Sequence, residues 1–383
     1  MLRLIIQMGS DEAICRFVHA SDLHIGRFQY TNATRAMDYI NGFQKLLEDA
    51  YRTTSDFILL AGDVFNSIDL LPFYFAQVVK ILRKFQEKTK FSVPVIAIEG
   101  NHDIRSFSKG NRISTNLSWL KVLSGLGMIT LLDSTLEDPN RNEDSLTIKG
   151  ARIYGNTYCG ERIDTNLNQI LRNIPFNGAF NILINHFGVE GTMKGIPGQS
   201  KSRLDSFLKS RINYLGLGHF HKQYVLDGYI YNPGCLSPAC LSDFNLPHGY
   251  FLVDVRKELN KYKIHVKRNR IRERQIIWKI LTFKSKPKSK QELFESIKDQ
   301  VKKNTPLVSK LEIISNTDLT PVLCLTVRSV DGKLLSTAVK KELRAEILQN
   351  FPLVEVHIFQ KQILYKSIEG FFKQADVLHK VKA

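Results

Sequence analysis

The sequence predicts an α/β protein with one large and one small domain. Three observations support this fold class. Short apolar segments of strand length alternate with segments whose apolar residues recur at helical spacing. Polar side chains suited to metal binding follow five of the apolar segments directly. With 383 residues, the chain is long enough for two domains of about 150 residues each.

The first part of the chain alternates predicted strands and helices. The strands are continuous apolar runs, which is typical of strands buried on both faces of a sheet. The helices carry apolar residues at the spacing of one helix face. The predicted strands lie at 14–20, 56–61, 93–98, 181–184 and 214–217, and the predicted helices lie at 33–53 and 72–88.

Each of these five strands leads into a short cluster of potential metal ligands. The carboxyl ends of strands in an α/β sheet form the crevice in which ligands bind, so we expect the clusters to meet. A glycine precedes three of them, which lets the backbone approach an ion closely. The candidate ligands are, in order, Asp22, His24, Asp63, Asn101, His186, His219 and His221.

The composition of these clusters predicts a metal-dependent phosphodiesterase. Imidazole and oxygen ligands without thiolate suit manganese, iron, zinc or magnesium. Two divalent ions about 3.5–4 Å apart are the usual device for attack on a phosphodiester. Asp63 is the natural bridging ligand because its two oxygens can serve two ions. His102 and Asp103 follow Asn101; we expect His102 either to protonate the leaving group or to stabilise charge on the phosphoryl group, and Asp103 to orient it.

The charge distribution indicates a polyanionic partner. The net charge is +17, and residues 256–290 contain 14 Lys or Arg against 2 Glu, a local excess of 12. Beside a phosphodiesterase site, such an excess favours nucleic acid over a merely solvated face of two antiparallel strands. The candidate DNA-binding residues are Arg27, Lys267, Arg268, Arg270, Arg272 and Arg274.

A second unit is predicted after about residue 275. Alternating strands at 250–255 and 261–266 precede it. The second unit itself is predicted to contain a strand, a helix, a strand, a helix and a strand, in that order. The expected organisation is an extension at 1–14, a catalytic domain at 15–275, a small α/β domain at 276–360 and a tail at 361–383. Residues 366–380 of the tail are predicted to form one amphipathic helix.

Several classes of protein are disfavoured by the sequence. No apolar run approaches the ~20 residues of a membrane span, and the first residues make a poor secretory signal. The five cysteines are scattered and odd in number, which disfavours a disulfide framework. We therefore expect a cytoplasmic protein with reduced cysteines.

The ordered motifs resemble the calcineurin-like metallophosphoesterase superfamily. Residues 17–26 (FVHASDLHIG), 61–65 (AGDVF) and 231–238 (YNPGCLSP) are similar to SbcD-type DNA repair exonucleases, the bacterial counterparts of the meiotic recombination nuclease. The resemblance is extensive over 15–275 and weaker over 276–360. It implies a four-layer sandwich and a smaller capping domain that recognises DNA.

The resemblance also implies a role for each candidate ligand. One ion would be held by Asp22, His24, Asp63 and His221, and the second by Asp63, Asn101, His186 and His219. His102 would be the catalytic histidine, and Mn2+ would be the favoured metal. A homodimer would form through the helices at 33–53 and 72–88, and an SbcC-type ATPase would be a partner.

Two positions depart from the family pattern. Asn66 stands where the eukaryotic and archaeal nucleases usually carry a histidine. Asparagine cannot shuttle a proton, so this departure questions any role of that histidine in exonuclease selectivity. The segment after residue 360 is shorter than the helical hairpin by which the family binds its ATPase, which questions that partnership.

Two other functions remain compatible with the sequence. The same fold could hydrolyse small molecules or cyclic nucleotides, as a phosphodiesterase or nucleotidase, because a fold does not fix its substrate. The chain could also be a non-catalytic DNA-binding or scaffolding subunit, which is disfavoured because no candidate ligand is missing.

Overall fold

The computed structural model describes residues 12–29, 32–106, 112–113, 118–132, 145–160, 163–174, 178–259, 261–283, 289–304, 320–329, 335–351, 353 and 355–362. The chain divides into two compact units between Arg272 and Glu273. The predicted helix at 366–380 lies outside the described residues, as does the proposed extension before Glu12, where the first strand already begins.

The larger unit alternates strands and helices along the chain. Its strands are β1 (Glu12–Ala20), β2 (Phe57–Ala61), β3 (Val95–Ile98), β4 (Arg105–Ser106), β5 (Arg112–Ile113), β6 (Thr130–Leu131), β7 (Ser145–Ile148), β8 (Ala151–Gly155), β9 (Phe180–His186), β10 (Tyr214–Gly218), β11 (Tyr224–Leu226), β12 (Ile230–Asn232), β13 (Tyr250–Glu258) and β14 (Lys261–Asn269). Its helices are α1 (Ala33–Arg52), α2 (Pro72–Lys88), α3 (Trp119–Gly125), α4 (Ile163–Asn173) and α5 (Lys201–Leu208).

Two six-stranded sheets organise this unit. The first has the order β14-β13-β1-β2-β3-β6, and the second has the order β11-β12-β10-β9-β8-β7. Strands β1, β2, β3 and β6 are parallel, as are β8, β9, β10 and β12. The parallel strands of each sheet therefore end at a common edge.

The sheets pack face to face and are covered by helices on their outer faces. Phe17 and Phe57 of the first sheet share one apolar cluster with Phe180 and Ile182 of the second. Apolar residues of α1, α2 and α3 pack on the opposite face of the first sheet, and those of α4 and α5 pack on the second. This confirms the predicted four-layer α/β sandwich and explains why its central strands are apolar throughout.

The sequence pattern did not indicate some short elements or which strands belong to which sheet. It placed no strand at β7, β8, β11 or β12 and no helix at α3, α4 or α5. Strands of three to five residues with mixed polarity carry little periodic signal, because their pairing depends on neighbours that are distant in sequence.

The smaller unit is a three-stranded parallel sheet with helices on one face. It contains β15 (Ile276–Phe283), α6 (Lys290–Asn304), β16 (Val322–Ser329), α7 (Thr337–Asn350) and β17 (Glu355–Gln362), with sheet order β15-β16-β17. Its core joins apolar residues of both helices to alternate residues of the strands. These are the five elements that the sequence predicted for this region.

No helix within the described residues is long and apolar enough to cross a bilayer.

Candidate metal centre

The carboxyl ends of five strands from both sheets meet at one edge of the larger unit. Asp22 and His24 follow β1, Asp63 follows β2 and Asn101 follows β3 in the first sheet. In the second sheet β9 ends at His186, and His219 and His221 follow β10. The imidazole Nδ1 of His186 lies 2.8 Å from the Ala61 carbonyl oxygen, which joins the two sheets at this edge. The structure thus brings all seven predicted ligands together.

The backbone bends sharply at four of these residues. Asp22 (φ 53°), His24 (φ 47°), Asp63 (φ 51°) and His219 (φ 81°) adopt the left-handed region, which residues with a Cβ rarely occupy. Backbone hydrogen bonds from the Asp22 N–H to the Gly62 carbonyl (3.1 Å) and from the His24 N–H to the Asp63 carbonyl (3.0 Å) hold two of these bends. Strained backbone concentrated at one place is typical of a functional site.

At two of the glycines in the ligand motifs, neighbouring atoms lie too close to the backbone for any side chain to fit. A Cβ on Gly100 would lie 2.2 Å from the Asp63 carboxylate, and one on Gly218 would lie 2.2 Å from the Ala61 carbonyl oxygen. The Asp63 carboxylate is held by the His102 N–H, and the other neighbour is backbone, so neither can easily move away. Glycine at these two positions therefore permits a close approach of the ligand loops that a Cβ would obstruct.

The side chains predicted to hold one of the ions, Asp22, His24 and His221, face each other across a short gap. The Nε2 atoms of His24 and His221 are 3.0 Å apart, and His221 Nε2 lies 3.8 Å from Asp22 Oδ1. Asp22 is fully buried and also accepts hydrogen bonds from the His219 backbone N–H. Two imidazole nitrogens at this distance can be satisfied only by a shared proton or a cation.

The side chains predicted to hold the other ion form a similar group. His186 Nε2 lies 3.3 Å from both Asp63 Oδ2 and Asn101 Oδ1, and His219 Nδ1 lies 3.0 Å from Asn101 Oδ1. Ligand atoms of Asp22, Asp63 and His186 lie within 4.8 Å of one another, as do those of Asp22, His24 and His221. The two groups are contiguous, and Asp63 lies where it can serve both.

The electrostatics of the site suit divalent cations. Burial lowers the pKa of His24 well below its usual value, and burial together with the nearby His186 lowers the pKa of His219 to about 4, so both imidazoles are neutral. Burial also opposes the charge on His186, but the adjacent Asp63 outweighs it and raises the pKa of His186 to about 9. The buried carboxylates, the neutral imidazoles of His24 and His219 and the amide oxygen of Asn101 are ligands that divalent metal ions accept, and His186 would have to lose its proton to bind one.

His102 lies beside the ligands and is fixed by its neighbours. Its backbone N–H donates to Asp63 Oδ1 (2.7 Å), and its ring is 4.8 Å from that of His24. Its Nδ1 lies 2.9 Å from the Asn66 carbonyl oxygen. Because a carbonyl can only accept, Nδ1 carries the proton in this contact, and Nε2 is the atom that can exchange a proton with a substrate.

Asp103 does not take the orienting role that the sequence suggested. Its buried carboxylate accepts backbone hydrogen bonds from Gly100 (2.8 Å), Phe65 (2.7 Å) and Val64 (3.3 Å). The Asn66 carbonyl, not Asp103, accepts the hydrogen bond from the His102 ring. Asp103 therefore joins the two loops that carry Asp63 and Asn101, and we no longer regard it as a catalytic residue.

Asp243 was missed by the sequence analysis although it contacts a candidate ligand. Its Oδ2 lies 2.8 Å from His221 Nδ1 and accepts backbone hydrogen bonds from Ala239 and Cys240, both at 3.0 Å. The side chain is buried in a 3-10 helix, Leu241–Asn245. That stretch has no motif in the sequence, so only the tertiary contact identifies it.

The candidate DNA-binding residues differ in exposure. Lys267, Arg268 and Arg272 are exposed. Arg270 is also exposed, although its guanidinium donates to the Leu246 and His248 carbonyls. Arg274 is buried and donates to the Thr320 carbonyl within the smaller unit, so we correct its assignment from DNA binding to a structural role.

Comparison with known proteins gives consistent matches. A family model described as calcineurin-like phosphoesterase matches residues 15–223. The chain is 30% identical over 139 residues to the DNA double-strand break repair protein Mre11 of Archaeoglobus fulgidus, covering 36% of this chain and 29% of the relative. It is 26% identical over 252 residues to the protein of that name from Saccharolobus solfataricus, covering 64% of this chain and 61% of the relative.

A third relative shows the same relationship. The chain is 28% identical over 251 residues to the Mre11 protein of Aeropyrum pernix, covering 63% of this chain and 58% of the relative. The chain thus spans less than two thirds of the length of each of these relatives.

Proposed function

Because the chain belongs to the calcineurin-like phosphoesterase family, we propose that it is a two-metal DNA nuclease of the SbcD type that acts in DNA repair or recombination. The observation that carries this proposal is the convergence of seven ligands from both sheets on one edge, with His102 fixed beside them. The family that the sequence motifs indicated is confirmed by the family model.

Asp22, His24, Asp63 and His221 would hold one divalent ion, and Asp63, Asn101, His186 and His219 would hold the other. Bound ions, for which we propose manganese, supply positive charge to the phosphoryl oxygens and lower the pKa of water. His102 would give the proton on its Nε2 to the departing alkoxide. The Asn66 carbonyl keeps the other ring nitrogen protonated and the ring correctly oriented.

Two observations support DNA as the substrate. The relatives named above are DNA double-strand break repair proteins. The exposed cations Lys267 and Arg268 lie at the carboxyl end of β14. Strand β13 is antiparallel to both β14 and β1, so β14 and β1 point in the same direction. The two cations therefore lie toward the same end of the sheet as the proposed metal centre. Phosphate contacts from exposed Lys and Arg provide most of the sequence-independent affinity for DNA.

We also propose that the protein forms a homodimer through α1 and α2. The large apolar side chains of Leu71 and Phe73 are exposed beside each other at the start of α2. Tyr51 is exposed near the end of α1, at the opposite end of α2, where its ring faces Lys88. Exposed large apolar side chains close together are a common feature of protein interfaces. An SbcC-type ATPase is a further proposed partner, as the resemblance implies.

The proposed activity is tested by a manganese-dependent cleavage assay. End-labelled duplex, hairpin and single-stranded DNA are compared with bis-p-nitrophenyl phosphate and cyclic nucleotides, and His102→Ala is the control. DNA cleavage that disappears in His102→Ala supports the nuclease. Hydrolysis of only the small diesters would replace it with a small-molecule or cyclic-nucleotide phosphodiesterase. DNA binding without any hydrolysis would indicate a non-catalytic subunit.

A further inference from the structure

Arg27 is a half-buried cation beside the candidate metal centre, and the part of the chain that the structure describes offers it no carboxylate partner. Its guanidinium donates through one terminal nitrogen to Asn66 Oδ1 (3.2 Å), and its Nε is buried without a hydrogen-bond partner. Within the described parts of the chain, no carboxylate lies at salt-bridge distance from it. A partly buried guanidinium is normally paired with an anion, because removal from water disfavours an isolated charge.

The turn after β1 holds Arg27 close to the first-metal ligands. The Arg27 backbone N–H donates to the His24 carbonyl (3.0 Å), which closes a tight turn through Gly26. Gly26 has φ 88°, and a Cβ there would meet the Leu70 side chain at 2.1 Å. The hydrogen bond holds the Arg27 backbone beside His24, one of the proposed metal ligands.

Asn66 connects Arg27 with His102. The Asn66 backbone N–H donates to the Ile25 carbonyl (3.0 Å), which ties its loop to the turn that carries Arg27. Its side-chain oxygen accepts from Arg27, and its backbone oxygen accepts from the His102 ring. An amide can accept this hydrogen bond without adding charge, so the full positive charge of Arg27 remains available to a ligand.

We propose that Arg27 binds an anionic oxygen of the substrate phosphodiester and that Asn66 is its positioning residue. The planar guanidinium has several donors and matches a phosphate group geometrically. This inference depends on the proposed function only in requiring that the substrate is a phosphodiester, whether or not it is DNA. It assigns the residue at the position of the family histidine a different task, which is to orient a cation.

The test uses Arg27→Ala, Arg27→Lys and Asn66→Ala, with Arg172→Ala as the control because Arg172 is an exposed arginine on α4, which covers the second sheet. Isothermal titration calorimetry measures the affinity of each manganese-loaded variant for inorganic phosphate. Steady-state kinetics on bis-p-nitrophenyl phosphate and on DNA give kcat and KM separately. Metal content is measured for every variant.

We expect Arg27→Ala to weaken phosphate binding and lower kcat/KM by about 10–100-fold, the range for a charge-assisted hydrogen bond, with metal content unchanged. Arg27→Lys should recover part of the loss, whereas Arg172→Ala should match the wild type. Asn66→Ala should have a smaller effect, and the double variant should be no worse than Arg27→Ala, because Asn66 acts through Arg27.

Two results would overturn the proposal. If Arg27→Ala binds phosphate and turns over the small diester as the wild type does, Arg27 is not a phosphate ligand. If the losses of Arg27→Ala and Asn66→Ala are additive, Asn66 is not its positioning residue. A wild-type protein that ignores DNA would refute the nuclease but leave this test intact, because phosphate binding and small-diester hydrolysis are measured separately.

Discussion

The Nδ1 atom of His221 lies 2.8 Å from Oδ2 of Asp243, a buried carboxylate that also accepts two backbone N–H groups. The backbone donors fix the carboxylate, and the carboxylate fixes the imidazole. Nδ1 therefore carries a proton, and Nε2 is directed toward His24 and Asp22. Carboxylate–histidine pairs of this kind orient metal ligands and raise their basicity.

Asp243→Ala should therefore weaken metal binding without removing a ligand. We expect the affinity for the manganese ion at the site that includes His221 to fall by about 10–100-fold, because His221 loses its fixed orientation. Calorimetric titration with manganese measures this affinity. Asp254→Asn, a change in a carboxylate on β13 that contacts Arg16, is the matched control. Unchanged metal affinity in a folded Asp243→Ala protein would show that the pair does not support the metal.

His102→Ala should separate catalysis from metal binding. We expect hydrolysis to fall by about 10²–10⁴-fold, because the proton donor to the leaving group is lost. Two equivalents of metal should still bind, since His102 is not among the seven proposed ligands. Activity and metal content are measured on the same preparation. Loss of one metal equivalent would make His102 a ligand instead.

Asp103→Ala should reduce stability more than it perturbs the chemistry. It leaves three backbone N–H groups without their acceptor, and we expect the free energy of unfolding to fall by about 2–5 kcal/mol. Asp103→Asn, which keeps one acceptor oxygen, should lose less. Urea unfolding of the metal-free proteins measures the difference. Wild-type stability with activity as low as that of His102→Ala would return Asp103 to a catalytic role.

The stability of the metal-free protein should decrease as pH rises toward 9. The pKa of His186 is raised from 6.5 to about 9, mainly because Asp63 outweighs the effect of burial. A raised pKa means that protonated His186 stabilises the fold fully below about pH 6.5 and that this stabilisation is lost as pH rises through about 9. Metal binding requires the neutral imidazole, so metal affinity should rise over the same interval.

Thermal unfolding with and without metal across this pH range tests the His186 prediction. The Tm of the metal-free wild type should fall relative to His186→Gln, which lacks the titrating group. When metal is present, the Tm of the wild type should instead rise relative to that of His186→Gln over the same pH range. A metal-free Tm that follows His186→Gln at every pH would contradict the prediction.

Lys267→Ala combined with Arg268→Ala should reduce the salt dependence of DNA binding. If both exposed cations contact phosphates, the slope of log K against log salt should become less steep by about 1.8, since each released contact contributes about 0.9. Fluorescence anisotropy at several salt concentrations gives this slope. Arg203→Ala combined with Lys209→Ala, a change in two exposed cations at α5, is the matched control. Equal slopes for the two double variants would remove β14 from the DNA-binding surface.

The sequence by itself determined the central strands, the helices α1 and α2, and the seven candidate metal ligands. These features are local: a strand buried on both faces is apolar residue by residue, and each ligand follows its strand within a few positions. The tertiary structure decided how the strands divide between two sheets, that Asp103 binds backbone amides, and that Asp243 and Asn66 support His221 and His102. Those outcomes depend on hydrogen bonds between residues that are 22 to 39 positions apart in the sequence. Contacts at such separations do not produce a periodic pattern in the sequence.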